Sequence, residues 1–251
     1  PERAVASTIQ TMLKRHTLYR PDEFGLVVVD EAHHAAADDY REVISYFADA
    51  GAFILGVTAT PQRLDGIGLE EVFKAVAYSY PLLEATDDGW LVPIRAIRSV
   101  INGLDLDALR SRCGDLPPGA LGELLAEHVH PVAQEIIKLA EDRPTIVFCP
   151  TVPHAYAQAE ALRRYTNERV ECAFSGTPKR KTKAKATEAQ QSLVDGVVTR
   201  EDMVDDFKAG KVRFLVNCEL FTEGFDAPNA CCVALVRPSE SASLVTQMVG
   251  R

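Results

Sequence analysis

Long apolar runs are missing from this sequence. None approaches the roughly 18 residues that a membrane-spanning helix requires, so no span of that kind is expected. Paired cysteines at C-x-x-C spacing are missing too. The six cysteines are Cys113, Cys149, Cys172, Cys218, Cys231 and Cys232, and several lie inside apolar, strand-like runs. They read as buried free thiols of a reducing compartment, not as a disulfide framework or a zinc site. Positive charge is in deficit, with 27 Lys and Arg against 36 Asp and Glu and a net charge of −9. That excludes a globally basic nucleic-acid coat but leaves room for a local basic channel. The N-terminus, Pro1-Glu2-Arg3-Ala4, has no initiator Met and no signal-peptide pattern, which suggests a start within a longer protein.

Apolar material is plentiful. With 47% hydrophobic and 25% charged residues in 251 positions, the chain can build one large core or two ordinary ones. The run from Leu26 to Val29 ends in Asp30 and Glu31, followed by Ala32, His33 and His34. Its length and β-branched content predict a strand buried on both faces. An open α/β sheet places its chemistry at the carboxyl end of such a strand. Adjacent carboxylates there can hold different tasks, one meeting a magnesium ion through water and the other orienting an attacking water. A bare Asp-Glu pair is also what a strand leaves when it stops at a solvated turn.

Taken in order, residues 1–16 read as a helix carrying the hydroxyl and amide cluster of Thr8, Gln10 and Thr11. A helix opens at Asp38 and ends near Gly51, and a second buried strand covers 53–57. That strand stops in Thr58-Ala59-Thr60-Pro61. Strands are expected again at 78–82 and 94–101, with Trp90 as a packing anchor and His34 as a surface or packing residue. The Gly-, Asp- and Pro-rich stretch around 101–119 marks a linker between residues 1–100 and 120–251. A helix then runs from Ala120, bent or broken at Pro131. Strands at 145–149, 170–174, 212–216 and 232–236 alternate with helices at 154–165, 201–208 and 241–249. This rhythm implies parallel strands with right-handed crossovers. Lys179, Arg180, Lys181, Lys183 and Lys185 lie in a polar insertion that reads as a solvated loop.

The strand-end clusters form an ordered series. Thr8-Ile9-Gln10-Thr11, Asp30-Glu31-Ala32-His33 and Thr58-Ala59-Thr60-Pro61 come first. Ile146-Val147-Phe148-Cys149-Pro150-Thr151, Phe221-Thr222-Glu223-Gly224-Phe225-Asp226-Ala227-Pro228 and Gln247-Met248-Val249-Gly250-Arg251 follow. Six motifs in this order resemble the superfamily 2 DEAD/DEAH-box helicases, nearest the branch of type III restriction-enzyme motor subunits and DNA-repair helicases.

The resemblance implies an α/β fold of two RecA-like lobes, each a mostly parallel sheet flanked by helices, with the first lobe incomplete. ATP and nucleic acid would lie along their cleft. Asp30 would hold Mg2+ through water, and Glu31 would position or activate the water attacking the γ-phosphate. His33 would connect the nucleotide site to Thr58 and Thr60, which couple hydrolysis to lobe movement. Thr8, Gln10, Thr11, Phe148, Thr151 and Thr222 would face nucleic acid, DNA in preference to RNA. Gly224, Asp226, Gln247 and Arg251 would approach the nucleotide, and Arg251 would stabilise transferring charge.

The sequence departs from the family in three places. The phosphate loop G-x-x-x-x-G-K-[ST] is absent, since Gly210-Lys211 lacks the upstream Gly and the following hydroxyl. The family's loop precedes the Asp-Glu motif and is therefore expected upstream of Pro1. The family's last motif has a further arginine three positions beyond Arg251. Cys218 stands where many relatives carry Thr. Two rival readings stay open: the motor subunit of a restriction enzyme, with nuclease or other domains in the flanks, and a catalytically inactive RecA-like nucleic-acid binding module.

Overall fold

The computed structural model describes residues 4–59, 69–104, 117–174, 199–218 and 227–237. The chain divides into two compact units, Pro1–Ile97 and Arg98–Arg251. Among the described residues no helix is long and apolar enough to cross a membrane.

In the first unit, helix α1 covers only Ile9–Leu13 and passes to a 3-10 turn at His16–Leu18. The helix expected over 1–16 is shortened because the Thr8 hydroxyl accepts the Thr11 N–H at 3.4 Å. A capping hydroxyl sets where the first turn begins. The turn is pinned by the buried His16, whose Nδ1 lies 3.0 Å from the Leu13 carbonyl. Its ring meets Tyr46 edge-on at 4.9 Å. Strands β1 (Leu26–Asp30) and β2 (Phe53–Val57) run parallel, with Leu26 beside Phe53 and Asp30 beside Val57. Helix α2 (Asp38–Ala48) connects them and buries Val43, Ile44 and Phe47.

Coverage of this sheet is one-sided. Val29, Ala32, Ala35 and Ile44 form a core with Val27, Ile54, Val72 and Phe73. Leu26, Val28, Leu55 and Val57 are exposed, and Phe53 is 80% exposed. The expectation that β1 and β2 are buried on both faces is therefore wrong for the described residues. Alternate side chains leave a strand on opposite sides, and only one side here meets other described elements. Gly56 belongs to the covered side. A Cβ at that position would stand 2.5 Å from the Phe73 ring and 2.8 Å from the Ala32 Cβ.

The strand expected at 78–82 is absent; helix α3 (Leu82–Asp87) starts there behind Pro81, which sits at its N-cap. Residues 94–101 likewise form no strand. Trp90 is 79% exposed among the described residues, so the packing role expected of it is not seen there.

In the second unit, α4 (Pro118–Ala126) and α5 (Val129–Ala140) meet at Glu127 and His128, so the break does not fall at Pro131. Pro131 lies in the first turn of α5, where its missing N–H leaves no bond unmade. Then follow β3 (Thr145–Phe148), α6 (Val152–Tyr165), β4 (Val170–Ala173), α7 (Arg200–Lys208), β5 (Phe214–Asn217) and β6 (Cys232–Leu235). The strands are all parallel, in the order β4-β5-β3-β6. Here both faces are covered. Val147, Val170, Phe214 and Val216 pack with Leu121, Ala133 and Ala155 of α4, α5 and α6. Ile146, Phe148 and Leu215 pack on the other side with Phe207 of α7. The basic insertion and the helix expected at 241–249 lie outside the described residues.

The thiols Cys149, Cys172 and Cys218 are buried in this unit, Cys231 is exposed and Cys232 is half-buried. Burial pushes the Cys149 thiol well up and that of Cys172 to about 11, so both stay protonated.

His154 of α6 is 4% exposed, and neither ring nitrogen has a partner among the described residues. Burial lowers its pKa from the ordinary 6.5 to about 4. The unfolded chain takes up this proton below about 6.5 and the folded chain only below about 4. Stability should therefore fall as pH drops through that window, by up to roughly 3 kcal/mol from this group. Urea midpoints between pH 7 and pH 4 measure the effect. His154→Leu should flatten the profile there, and parallel profiles would assign the loss to other groups.

Candidate active site

The parallel register of β1 and β2 sets Asp30 beside Val57. The two loops leaving these strands therefore start side by side. Asp30 is the last residue of β1 and is exposed. Its Oδ1 accepts the Glu31 N–H at 3.0 Å. Glu31 does not continue the strand. It takes a left-handed conformation (φ 48°, ψ 49°) and caps a 3-10 turn over Ala32–His34. Non-glycine residues rarely adopt that conformation, and it turns the chain sharply at this point.

The turn brings His33 back under the strand end, where its side chain is 10% exposed. Its Nδ1 lies 3.0 Å from the Thr58 Oγ1 and 3.4 Å from a Glu31 carboxylate oxygen. One ring nitrogen thus faces both the acid of one loop and the hydroxyl of the next. His34 is exposed and lies against His33, ring centroids 4.1 Å apart. Thr8, Gln10 and Thr11 are exposed on α1, with the Thr8 hydroxyl donating to that of Thr11 at 3.1 Å. Thr60 lies outside the described residues.

In the second unit β3 passes through Cys149 and Pro150 to Thr151, the N-cap of α6. The Thr151 hydroxyl accepts the His154 N–H at 3.3 Å, and the residue stays half-buried. Phe148 is different. It is 2% exposed and packed beneath the sheet, so its side chain is taken up by the core. The expected nucleic-acid contact from Phe148 is corrected accordingly for its ring. The adjacent ends of β3 and β5 are tied by Cys149 N–H to the Asn217 carbonyl at 2.8 Å. The Asn217 amide also donates to the Val147 carbonyl at 3.1 Å. Neither Asn217 nor His154 was singled out from the sequence, since a lone polar residue gives no local sign of burial. Thr222, Gly224, Asp226, Gln247 and Arg251 lie outside the described residues.

Residues 2–63 match the type III restriction enzyme res subunit family, and residues 127–251 match the helicase conserved C-terminal domain. The chain thus carries a region similar to each of these two families, in this order. A Saccharomyces cerevisiae protein named as an ATP-dependent helicase, IRC3, is 29% identical over 262 positions, covering 98% of this chain and 34% of that protein. A type I restriction enzyme EcoAI endonuclease subunit of Escherichia coli is 28% identical, covering 92% of this chain and 30% of the subunit. The chain thus spans about a third of the length of these relatives. Among solved structures, the DEAD-box helicase Mss116 bound to single-stranded RNA superposes with a TM-score of 0.49 at 13% identity, covering 97% of this chain and 44% of that one.

Proposed function

We propose that this protein is an ATP-dependent motor on nucleic acid, a helicase or translocase that moves along or separates strands of DNA. The observation that carries the reading is the 3.0 Å approach of His33 Nδ1 to Thr58 Oγ1, beside the Asp30-Glu31 pair. A link between the acid loop and the neighbouring hydroxyl loop is what a motor needs to pass a change at the nucleotide to the rest of the lobe.

The residues at the strand end suit magnesium. Asp30 offers hard carboxylate oxygens, and its Oδ2 makes no hydrogen bond among the described residues. Asp30 would hold the ion through water, and the bound ion would neutralise charge on the phosphates. Glu31 orients the attacking water and takes its proton. His33 holds Glu31 and Thr58 to one nitrogen, so displacement of either is felt by the other. Thr8, Gln10, Thr11 and Thr151 supply neutral hydrogen bonds to a phosphate backbone, which fix register without reading sequence. Gly224, Asp226, Gln247 and Arg251 keep the nucleotide-facing roles that the family resemblance gives them, and Thr60 and Thr222 keep theirs. The similarity to the EcoAI subunit supports a second reading, in which the same motor serves DNA cleavage by another domain.

ATP turnover by the full-length protein is expected to rise when DNA is added and to rise less with RNA. Turnover indifferent to either polymer would overturn the motor reading. In the same assay Thr58→Val, which keeps shape and removes the hydroxyl, should still hydrolyse ATP but displace fewer strands per turnover.

A further inference from the structure

A helix interior is a poor place for glycine, and Gly122 is buried in the middle of α4. Alanine would be the better helix former there. The reason for glycine lies across the helix surface. A Cβ at position 122 would stand 2.9 Å from the Thr151 Oγ1 and 3.1 Å from its Cγ2. Thr151 cannot readily turn aside. Its branched side chain is stiff about χ1, and its hydroxyl is engaged as the cap of α6 through the His154 N–H at 3.3 Å.

We propose that Gly122 is a positioning residue for nucleic-acid binding. Its missing side chain lets α4 lie directly on Thr151 and fixes the one rotamer in which that hydroxyl caps α6. In that rotamer the hydroxyl proton is left for a phosphate oxygen. Among the described residues the hydroxyl makes no hydrogen bond besides the one it accepts. The inference rests on the reading of Thr151 as a backbone contact.

The test measures binding of a labelled oligothymidylate to the full-length protein across a salt series. The forms compared are wild type, Gly122→Ala, Thr151→Ser and the double variant. Serine keeps the hydroxyl and lacks Cγ2, so it removes the 3.1 Å contact and frees χ1, while the 2.9 Å contact to Oγ1 stays. Gly122→Ala should weaken binding about tenfold on the threonine background, the scale of a hydrogen bond to a charged group. It should weaken binding less on the serine background, where one of the two close contacts is gone. The slope of log affinity against log salt should stay the same, because a neutral hydroxyl releases no counterion.

The proposal is overturned if Gly122→Ala binds as the wild type does. It is also overturned if the loss is equal on both backgrounds, or if the salt slope falls with it. Should Gly122→Ala not fold, adding Thr151→Ala, which removes both close contacts, should restore folding, and an unfolded variant of that pair overturns the steric account. Thr151→Ala probes the underlying reading by itself. Unchanged binding there removes Thr151 as a contact, whereas weakened binding beside a normal Gly122→Ala removes only the role of Gly122.

Discussion

Glu31→Gln is expected to lower the turnover number of the full-length protein by roughly 10²- to 10⁴-fold, the usual contribution of a positioned general base. The Kd for ATP should not change. Glutamine has the shape of glutamate and can occupy the same left-handed residue beside the His33 ring. What it lacks is the negative charge that draws a proton from water. Single-turnover hydrolysis alongside equilibrium ATP binding separates the two effects. Unchanged turnover would remove Glu31 from the chemistry, and a loss of ATP affinity in step with turnover would point to a disturbed strand end.

Phe148→Ala carries the second large effect, and it falls on stability. The ring is 2% exposed between Ile146, Leu215 and Phe207. Removing a buried phenylalanine costs about 3–5 kcal/mol, from lost transfer energy and the cavity left behind. That is a large part of the stability of an ordinary domain. The urea midpoint of the second unit's transition should fall accordingly. Nucleic-acid affinity at low denaturant should stay close to wild type, since the ring is not at the surface. A variant of normal stability and weakened affinity would return Phe148 to the binding surface.

These two residues show what could be read from the sequence and what could not. Asp30-Glu31 and Thr58 were legible as strand-end clusters because an apolar run stops abruptly at each. Their approach through His33 depends on the β1–β2 register and on a left-handed turn at Glu31, and glutamate gives no local signal for such a turn. Phe148 sat in a recognisable motif, and motif order alone does not say which way a strand residue points. The run at 145–149 reads as a strand, and in the structure β3 is covered on both faces. The similar run Leu26 to Val29 is covered on one side only, because coverage is decided by what packs against a strand. Trp90 failed for the same reason. It reads as a packing anchor, yet it is mostly exposed among the described residues. Gly122 and Thr151 meet across 29 positions of sequence, beyond the reach of any local pattern.

The one-sided sheet also governs how this chain behaves in a test tube. Among the described residues Leu26, Val28, Phe53, Leu55 and Val57 form an exposed apolar strip. Among the described residues β1 and β2 each have an outer edge without a strand partner. An apolar strip beside unpaired strand edges is a template for self-association and aggregation. Salts such as ammonium sulfate strengthen apolar association, and cooling weakens it. The chain should accordingly clump under salting-out conditions and stay dispersed in dilute, cold buffer. Lysine or glutamate at positions 28 and 55 would be the first substitutions to try for soluble material.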